Sequence, residues 1–243
     1  MHNAYDLYDG YVQAKQWHDQ NFGKISEVER HYFRSEIMRH GLALDGRRIL
    51  EIGFGNGNFL RFARDEGADA VGIEIQDDLL KLAASNGFEA YSTVDALRMR
   101  NTGRPFALIA AFDVLEHLTP AEAIETLRKL RDLTDPSEGM LLARFPNGDS
   151  PFSLPIQNGD FTHRTALGAG IVSQILRRSG WKLAYLGEPT WAFNSMRGRL
   201  VGGTQNLLRR SLEKFLLPVF YGRGGPPTLY YNYILVAKPA LPQ

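Results

Sequence analysis

Three glycines at alternate positions, in Leu50-Glu51-Ile52-Gly53-Phe54-Gly55-Asn56-Gly57-Asn58-Phe59, constrain this chain more than any other feature. The run lies between an apolar strand pattern, Arg48 to Gly53, and a helical pattern from about Gly57. Glycines in that place let the backbone turn sharply and let a ligand approach its N–H groups. Such a turn belongs to open α/β sheets, which hold ligands at the carboxyl ends of parallel strands.

The neighbouring pattern agrees. Ala70 to Ile75 reads as a second strand with a helix from about Asp77, and Phe88 to Ser92 as a third strand. Phe106 to Phe112 is a fourth, followed by a helix from Thr119 with Pro120 in its first turn. Met140 to Phe145 is a fifth. This alternation predicts a doubly wound, mostly parallel sheet covered by helices. The first 45 or so residues read as irregular and helical, with Glu27, Glu29, Arg30, Tyr32, Phe33, Ile37 and Met38 spaced as on an amphipathic helix that stops near Gly41. Pro146 to Phe161 reads as a long loop, Thr165 to Ser179 as a helix, and Trp181 to Leu186 and Leu229 to Ala237 as strands. Trp191 to Pro227 breaks the alternation. It carries Arg197, Arg199, Arg209, Arg210, Lys214 and Arg223, with a basic amphipathic helix around Gln205 to Leu217 whose charged face is expected to be solvated. One domain over residues 1–243 is expected, with a helical segment at 1–45, a cofactor-binding core at 46–147, and an acceptor-side half at 148–243 that includes an insertion at 191–227.

Composition narrows the function classes. A chain of 243 residues, 44% hydrophobic and 23% charged, has the material for one buried core. Its formal net charge of +1 gives no electrostatic case for a nucleic-acid partner. The absence of cysteine excludes disulfides, thiolate nucleophiles and cysteine-ligated zinc. Met1 to Gln20 lacks the apolar centre of a signal peptide, and no apolar stretch is long enough to span a bilayer. A cytoplasmic protein is expected, with peripheral membrane contact through the basic insertion left open.

Two carboxylates flank the glycine turn. Glu74 ends the second strand, where a carboxylate accepts hydrogen bonds from a ribose diol. Glu51 precedes the first glycine, a poor neighbour for a pyrophosphate and a good one for an ammonium or a sulfonium. Asn58 stands where a dinucleotide site needs a small residue. These features favour S-adenosylmethionine over NAD.

Residues from about Arg47 to Asn147 resemble the class I S-adenosylmethionine-dependent methyltransferases. Glu51-Ile-Gly53-Phe54-Gly55-Asn56-Gly57 is similar to that family's first motif, and Gly72-Ile-Glu74, followed by Ile75 and Gln76, to its second. Asp95, with Ala96, resembles the acid near the adenine amino group. Phe112-Asp113-Val-Leu-Glu116-His117 resembles the motif beside the methionine end and the reacting methyl. The resemblance implies a Rossmann-like sheet of seven strands, the last antiparallel.

Methyl transfer from a sulfonium mainly requires alignment, and a hydroxyl acceptor also benefits from a base. Glu116 and His117 are candidates, beside the alternative that they only brace the pocket. His163, in Gly159-Asp160-Phe-Thr-His163-Arg, resembles an Asp-x-Thr-His segment of family members that methylate small molecules, sugars and polysaccharide precursors. That implies a general base, beside the alternative that Asp160 and His163 order the loop. No metal is expected, since no paired-histidine spacing is present. The leading expectation is O-methylation of a sugar hydroxyl in polysaccharide or glycosylated-metabolite synthesis. The alternatives are O-methylation of a quinone, polyketide or other small aromatic, and a non-catalytic nucleoside-binding module.

Overall fold

The computed structural model describes residues 15, 17, 19–100, 103–193 and 196–240. The reading of residues 1–14 as irregular and leaderless therefore lies outside the described residues, as does the side chain of Arg199.

Seven strands form one sheet: Arg48–Ile52 (β1), Asp69–Ile73 (β2), Glu89–Tyr91 (β3), Leu108–Phe112 (β4), Met140–Pro146 (β5), Trp181–Gly187 (β6) and Asn232–Pro239 (β7). Their order is β3-β2-β1-β4-β5-β7-β6. Strands β1 to β5 pair in parallel, and β7 runs antiparallel to both β5 and β6. The expected seven strands and antiparallel last strand are thus observed. Five consecutive residues of β1 are buried, as a central parallel strand covered on both faces requires.

The described helices are Glu27–Arg39 (α1), Asn58–Asp65 (α2), Asp77–Ser85 (α3), Val94–Arg100 (α4), Pro120–Arg131 (α5), Leu154–Gln157 (α6), Ala169–Ser179 (α7) and Met196–Tyr221 (α8). Side chains of one strand alternate between two cores. Leu50, Ile52, Ile109, Ala111, Leu141 and Ala143 meet α5 and α7 on one face. Ile49, Leu108, Ala110 and Leu142 meet Phe33 and Ile37 of α1 and Phe59 and Phe62 of α2 on the other. Reciprocal caps start two helices: Ser26 with Glu29 at α1, and Thr119 with Glu122 at α5, where Pro120 supplies a preset first turn.

Three expected boundaries move. Phe106 and Ala107 precede β4, with Phe106 in an isolated bridge to Thr134. The long loop contains the 3-10 turn Pro151–Ser153 and α6. Helix α7 starts at Ala169 rather than Thr165, because the Thr165 hydroxyl donates to the Leu118 carbonyl at 2.6 Å and Asp149 receives the Ala169 N–H at 2.7 Å.

The larger correction concerns α8. It is twice the expected length, and Asn206, Arg209 and Glu213 point inward. Arg209 donates to Glu188, to Glu213 at 2.6 Å and to Asn206 at 2.8 Å, and Glu213 also receives the Leu229 N–H at 2.9 Å. Leu200, Leu207 and Phe215 face outward at 71%, 69% and 68% exposure. The basic face expected from sequence is solvated at Arg197, Arg210 and Lys214, but large apolar residues share it, and Arg209 turns inward into a charge network. No helix among the described residues is long and apolar enough to cross a membrane.

Candidate functional site

The carboxyl ends of β1, β2 and β4 enclose a cavity of ≈ 280 Å³. Two glycines make room for it. Gly53 has φ +62°, and a Cβ there would stand 2.6 Å from Val114 Cγ2. Gly55 has φ +49°, and its Cβ would stand 2.8 Å from the Trp17 ring. Both positions demand the left-handed region as well as the space.

Glu74 closes one side. Its Oε2 accepts the Gly55 N–H at 3.1 Å, and its Oε1 accepts the N–H groups of Ile75 at 2.7 Å and Gln76 at 3.2 Å. Burial raises the carboxyl above its ordinary pKa, and these three bonds oppose the rise. A carboxylate has about four acceptor positions, so it retains capacity for a diol. Ser92, Thr93 and Val94 line the far end, and Asp113 and His117 the near end.

Of the expected cofactor residues, Gly53, Gly55, Glu74, Ile75, Gln76 and Asp113 line this cavity, together with His117. Others stand elsewhere, largely by strand alternation. Phe112 belongs with Tyr32, Phe33 and Phe59 on the opposite face of the sheet. Glu51 points to the same side as Ile49, away from the cavity-lining Ile52. It is buried with no hydrogen-bond partner on Oε2 among the described residues. Burial raises its carboxyl well above the ordinary value. Phe54 turns back onto Gly72, Asn56 donates to the Asn21 carbonyl at 2.7 Å, and Gly57 caps α2. Asp95 faces Lys129 at 2.7 Å, and neither it nor Ala96 lines the cavity. Trp17 is a lining residue that sequence reasoning missed; a lone tryptophan in an irregular segment carries no signal.

A second cavity of ≈ 380 Å³ shares Asp113 and His117 with the first, and adds Glu116, Asp160, His163 and Asn232. A third of ≈ 300 Å³ shares Asn232 and is lined by Tyr32, Arg144, Trp191, Tyr230 and Tyr231. Asp113 stands at the first junction with φ +57°, the one positive φ outside glycine among the described residues. A residue held there stores about 1–3 kcal/mol of strain, and such positions gather at functional sites. The holding groups are the Arg144 guanidinium, which grips both carboxylate oxygens, and the Arg144 carbonyl, which accepts the Asp113 N–H at 2.8 Å.

The second cavity joins distant segments. Glu116 and His117 lie on the 3-10 turn Leu115–His117 after β4. The carbonyl of Glu116 accepts the N–H groups of Arg164 at 2.8 Å and Thr165 at 3.0 Å, and Arg164 also grips Glu122. This stitching brings His163 to His117, ring centroids 4.8 Å apart. Burial, then the neighbouring His163, lowers the His117 pKa. Burial, then the charge of Asp113, raises the Glu116 carboxyl well above its ordinary value. Burial would lift Asp160 as well, but hydrogen bonds from Thr162 outweigh it and hold that carboxyl at about 2.

Similarity to known proteins agrees with this geometry. A family model described as a methyltransferase domain matches residues 25–184. A ubiquinone biosynthesis O-methyltransferase of Azorhizobium caulinodans is 28% identical over 152 residues, 58% of this chain and 59% of that protein. The chain thus spans about three fifths of that relative's length. The ubiquinone biosynthesis O-methyltransferase of Bordetella avium is 24% identical over 203 residues, 81% of this chain and 77% of that protein. A crystal structure of an S-adenosylmethionine-dependent methyltransferase from Archaeoglobus fulgidus has a TM-score of 0.59 at 21% identity, covering 97% of this chain and 100% of that one.

Proposed function

Because this chain belongs to the methyltransferase-domain family, the class I S-adenosylmethionine-dependent enzymes, we propose that it transfers the cofactor's methyl group to a ring hydroxyl of a small aromatic or quinone-type acceptor. The observation that carries this reading is the junction of two cavities at Asp113 and His117, one bounded by the glycine turn and Glu74, the other by Glu116 and His163. Cofactor in the first would present its methyl to an acceptor in the second, the alignment that displacement at carbon requires.

The saccharide acceptor expected first from sequence gives way to the aromatic alternative. The relatives reported above are named for ubiquinone biosynthesis. The third cavity also offers Trp191, Tyr230 and Tyr231, with the Arg144 guanidinium at its wall. Aromatic walls suit a planar ring, and a guanidinium suits a carboxylate or phenolate on it.

The test is S-adenosylhomocysteine release with two acceptor sets: ortho-dihydroxybenzoates bearing a short alkyl chain, and hexoses or nucleotide hexoses. Turnover of the aromatic set, with the product methylated on oxygen by mass spectrometry, is the expected result. Turnover of hexoses alone would return the reading to saccharide chemistry.

A further inference from the structure

The third cavity, of ≈ 300 Å³, lies between α1, the ends of β5 and β7, and residues 189–192. Its walls are tied in place. The Asn147 amide donates to the Thr228 and Tyr230 carbonyls at 3.0 and 2.8 Å, and the Asn147 backbone N–H to the Tyr231 carbonyl at 2.9 Å. From α8, the Arg209 guanidinium lies 5.8 Å from the Trp191 ring and 5.1 Å from the Tyr230 ring. Walls fixed in advance lower the ordering cost of binding.

The charged groups of this cavity are already matched. Two guanidinium nitrogens of Arg144 serve Asp113, and the Glu29 carboxylate accepts from the Ser26 N–H and hydroxyl and from the Asn58 amide. The neutral groups are not matched. Thr190 Oγ1, Trp191 Nε1 and Asn232 Oδ1 are shielded from solvent and have no hydrogen-bond partner among the described residues. The indole nitrogen can only donate, the amide oxygen can only accept, and the hydroxyl does both. Buried polar groups left unpaired are costly, so a ligand that pairs them is favoured.

Asn232 is the link to the reaction. It is the first residue of β7 and lines both this cavity and the acceptor cavity. A molecule whose reacting hydroxyl stands beside His117 and His163 therefore reaches the third cavity with its far end. An apolar tail there would seal three polar groups from water without pairing them. A flat ring bearing oxygens pairs them and lies against Trp191, Tyr230 and Tyr231.

We propose that the third cavity is a distal subsite for a second, oxygenated ring, so that the acceptor is a polyphenol of at least two rings rather than one ring with an apolar tail. Thr190, Trp191 and Asn232 set this preference. The Trp191 N–H donates to a carbonyl or phenolic oxygen of the distal ring, and the Asn232 side-chain carbonyl accepts from a ring hydroxyl. The name acceptor rests on the O-methyl transfer reading; binding of the two-ring ligand does not.

The test uses the full chain saturated with S-adenosylhomocysteine and three catechol probes. They are 4-methylcatechol, 4-decylcatechol, and the flavone luteolin, which carries its catechol on a second oxygenated ring system. Calorimetry should give one luteolin per chain, bound at least about 10-fold more tightly than 4-methylcatechol and more tightly than 4-decylcatechol. Trp191→Phe keeps a flat ring and removes the N–H; Thr190→Val keeps the shape and removes the hydroxyl. Each should lower the luteolin preference over 4-methylcatechol about 3–10-fold, the worth of one neutral hydrogen bond. S-adenosylhomocysteine affinity should stay within a few-fold and serves as the fold control. A general loss of packing would weaken all three probes together and leave the preference unchanged. Tighter binding of 4-decylcatechol than of luteolin overturns the proposal, as does a preference that both variants keep at the wild-type value. Luteolin that binds as expected but gains no methyl group from S-adenosylmethionine, by mass spectrometry, overturns the acceptor reading alone and leaves the subsite standing.

Discussion

Replacing Glu74 by Gln isolates what the carboxylate contributes to the cofactor site. The side chain is 7% exposed, and its two oxygens receive three backbone N–H groups. Gln preserves the shape but turns one oxygen into an amide donor. The less damaging orientation keeps the oxygen toward Ile75 and Gln76 and sets the amide against the Gly55 N–H. One buried donor is then unsatisfied, at a cost of about 1–3 kcal/mol. For a chain of this size that corresponds to a Tm lower by about 2–12 °C. The charge-assisted bonds to a ribose diol are lost as well, about 1.5–3 kcal/mol, or roughly 10–150-fold in Kd for S-adenosylhomocysteine. Calorimetry with S-adenosylhomocysteine and with its 2′,3′-dideoxyribose analogue separates these effects. The wild type should discriminate strongly between the two ligands and Glu74→Gln should not. If the variant keeps the wild-type discrimination, Glu74 holds the turn together and does not touch the ribose.

Three further outcomes are expected. Burial raises the Glu51 carboxyl, so its folded-state contribution is full below the unfolded carboxylate range and is lost as pH rises through the raised value. The Tm of the wild type should therefore fall relative to Glu51→Gln between pH 5 and pH 8, and parallel melting curves would show that Glu51 carries no such penalty. His163→Gln should lower kcat by about 10²–10⁴-fold with S-adenosylhomocysteine affinity within a few-fold; near-normal kcat in stopped assays would make His163 a loop residue only. The outward leucines and Phe215 of α8, beside the exposed cations Arg197, Arg210 and Lys214, should adsorb on anionic phospholipid vesicles. Leu207→Ser with Phe215→Ser should reduce the co-sedimenting fraction several-fold, and equal sedimentation would remove the lipid contact.

From Arg48 to Pro146 the β-α alternation was legible, because parallel strands buried on both faces read as apolar runs with helical patterns between them. Thr119 and Pro120 announce a helix start in the sequence itself. The α8 helix was legible only in its middle. Gly202 and Gly203 count against a helix, yet Gly202 is required by the close approach of Phe193, at 2.1 Å from where a Cβ would lie. Which face of α8 turns inward was hidden too, since Glu188, on another segment, decides where Arg209 points. Gly53, Gly55, Glu74, Ile75, Gln76 and Asp113, singled out by spacing and resemblance, line one cavity. Phe112 and Asp95 lie off that cavity for local reasons: strand alternation sends one to the opposite face, and Lys129 pairs with the other. The cluster of Glu116, His117 and His163 depends on backbone hydrogen bonds between separate segments, and no periodicity encodes those.

The order of the last two strands has a consequence for how the chain is made. β7 is the final strand in sequence, yet it lies between β5 and β6 and forms the whole connection between them. During synthesis the sheet cannot close until residues 232–239 have left the ribosome. Until then β5 and β6 each present an unpaired edge, and open edges of apolar strands recruit other chains. A stalled or truncated product would thus hold β1 to β5 largely assembled and still be prone to aggregate. Closure of this side of the sheet therefore waits on the eight residues of β7, far in sequence from the glycine turn.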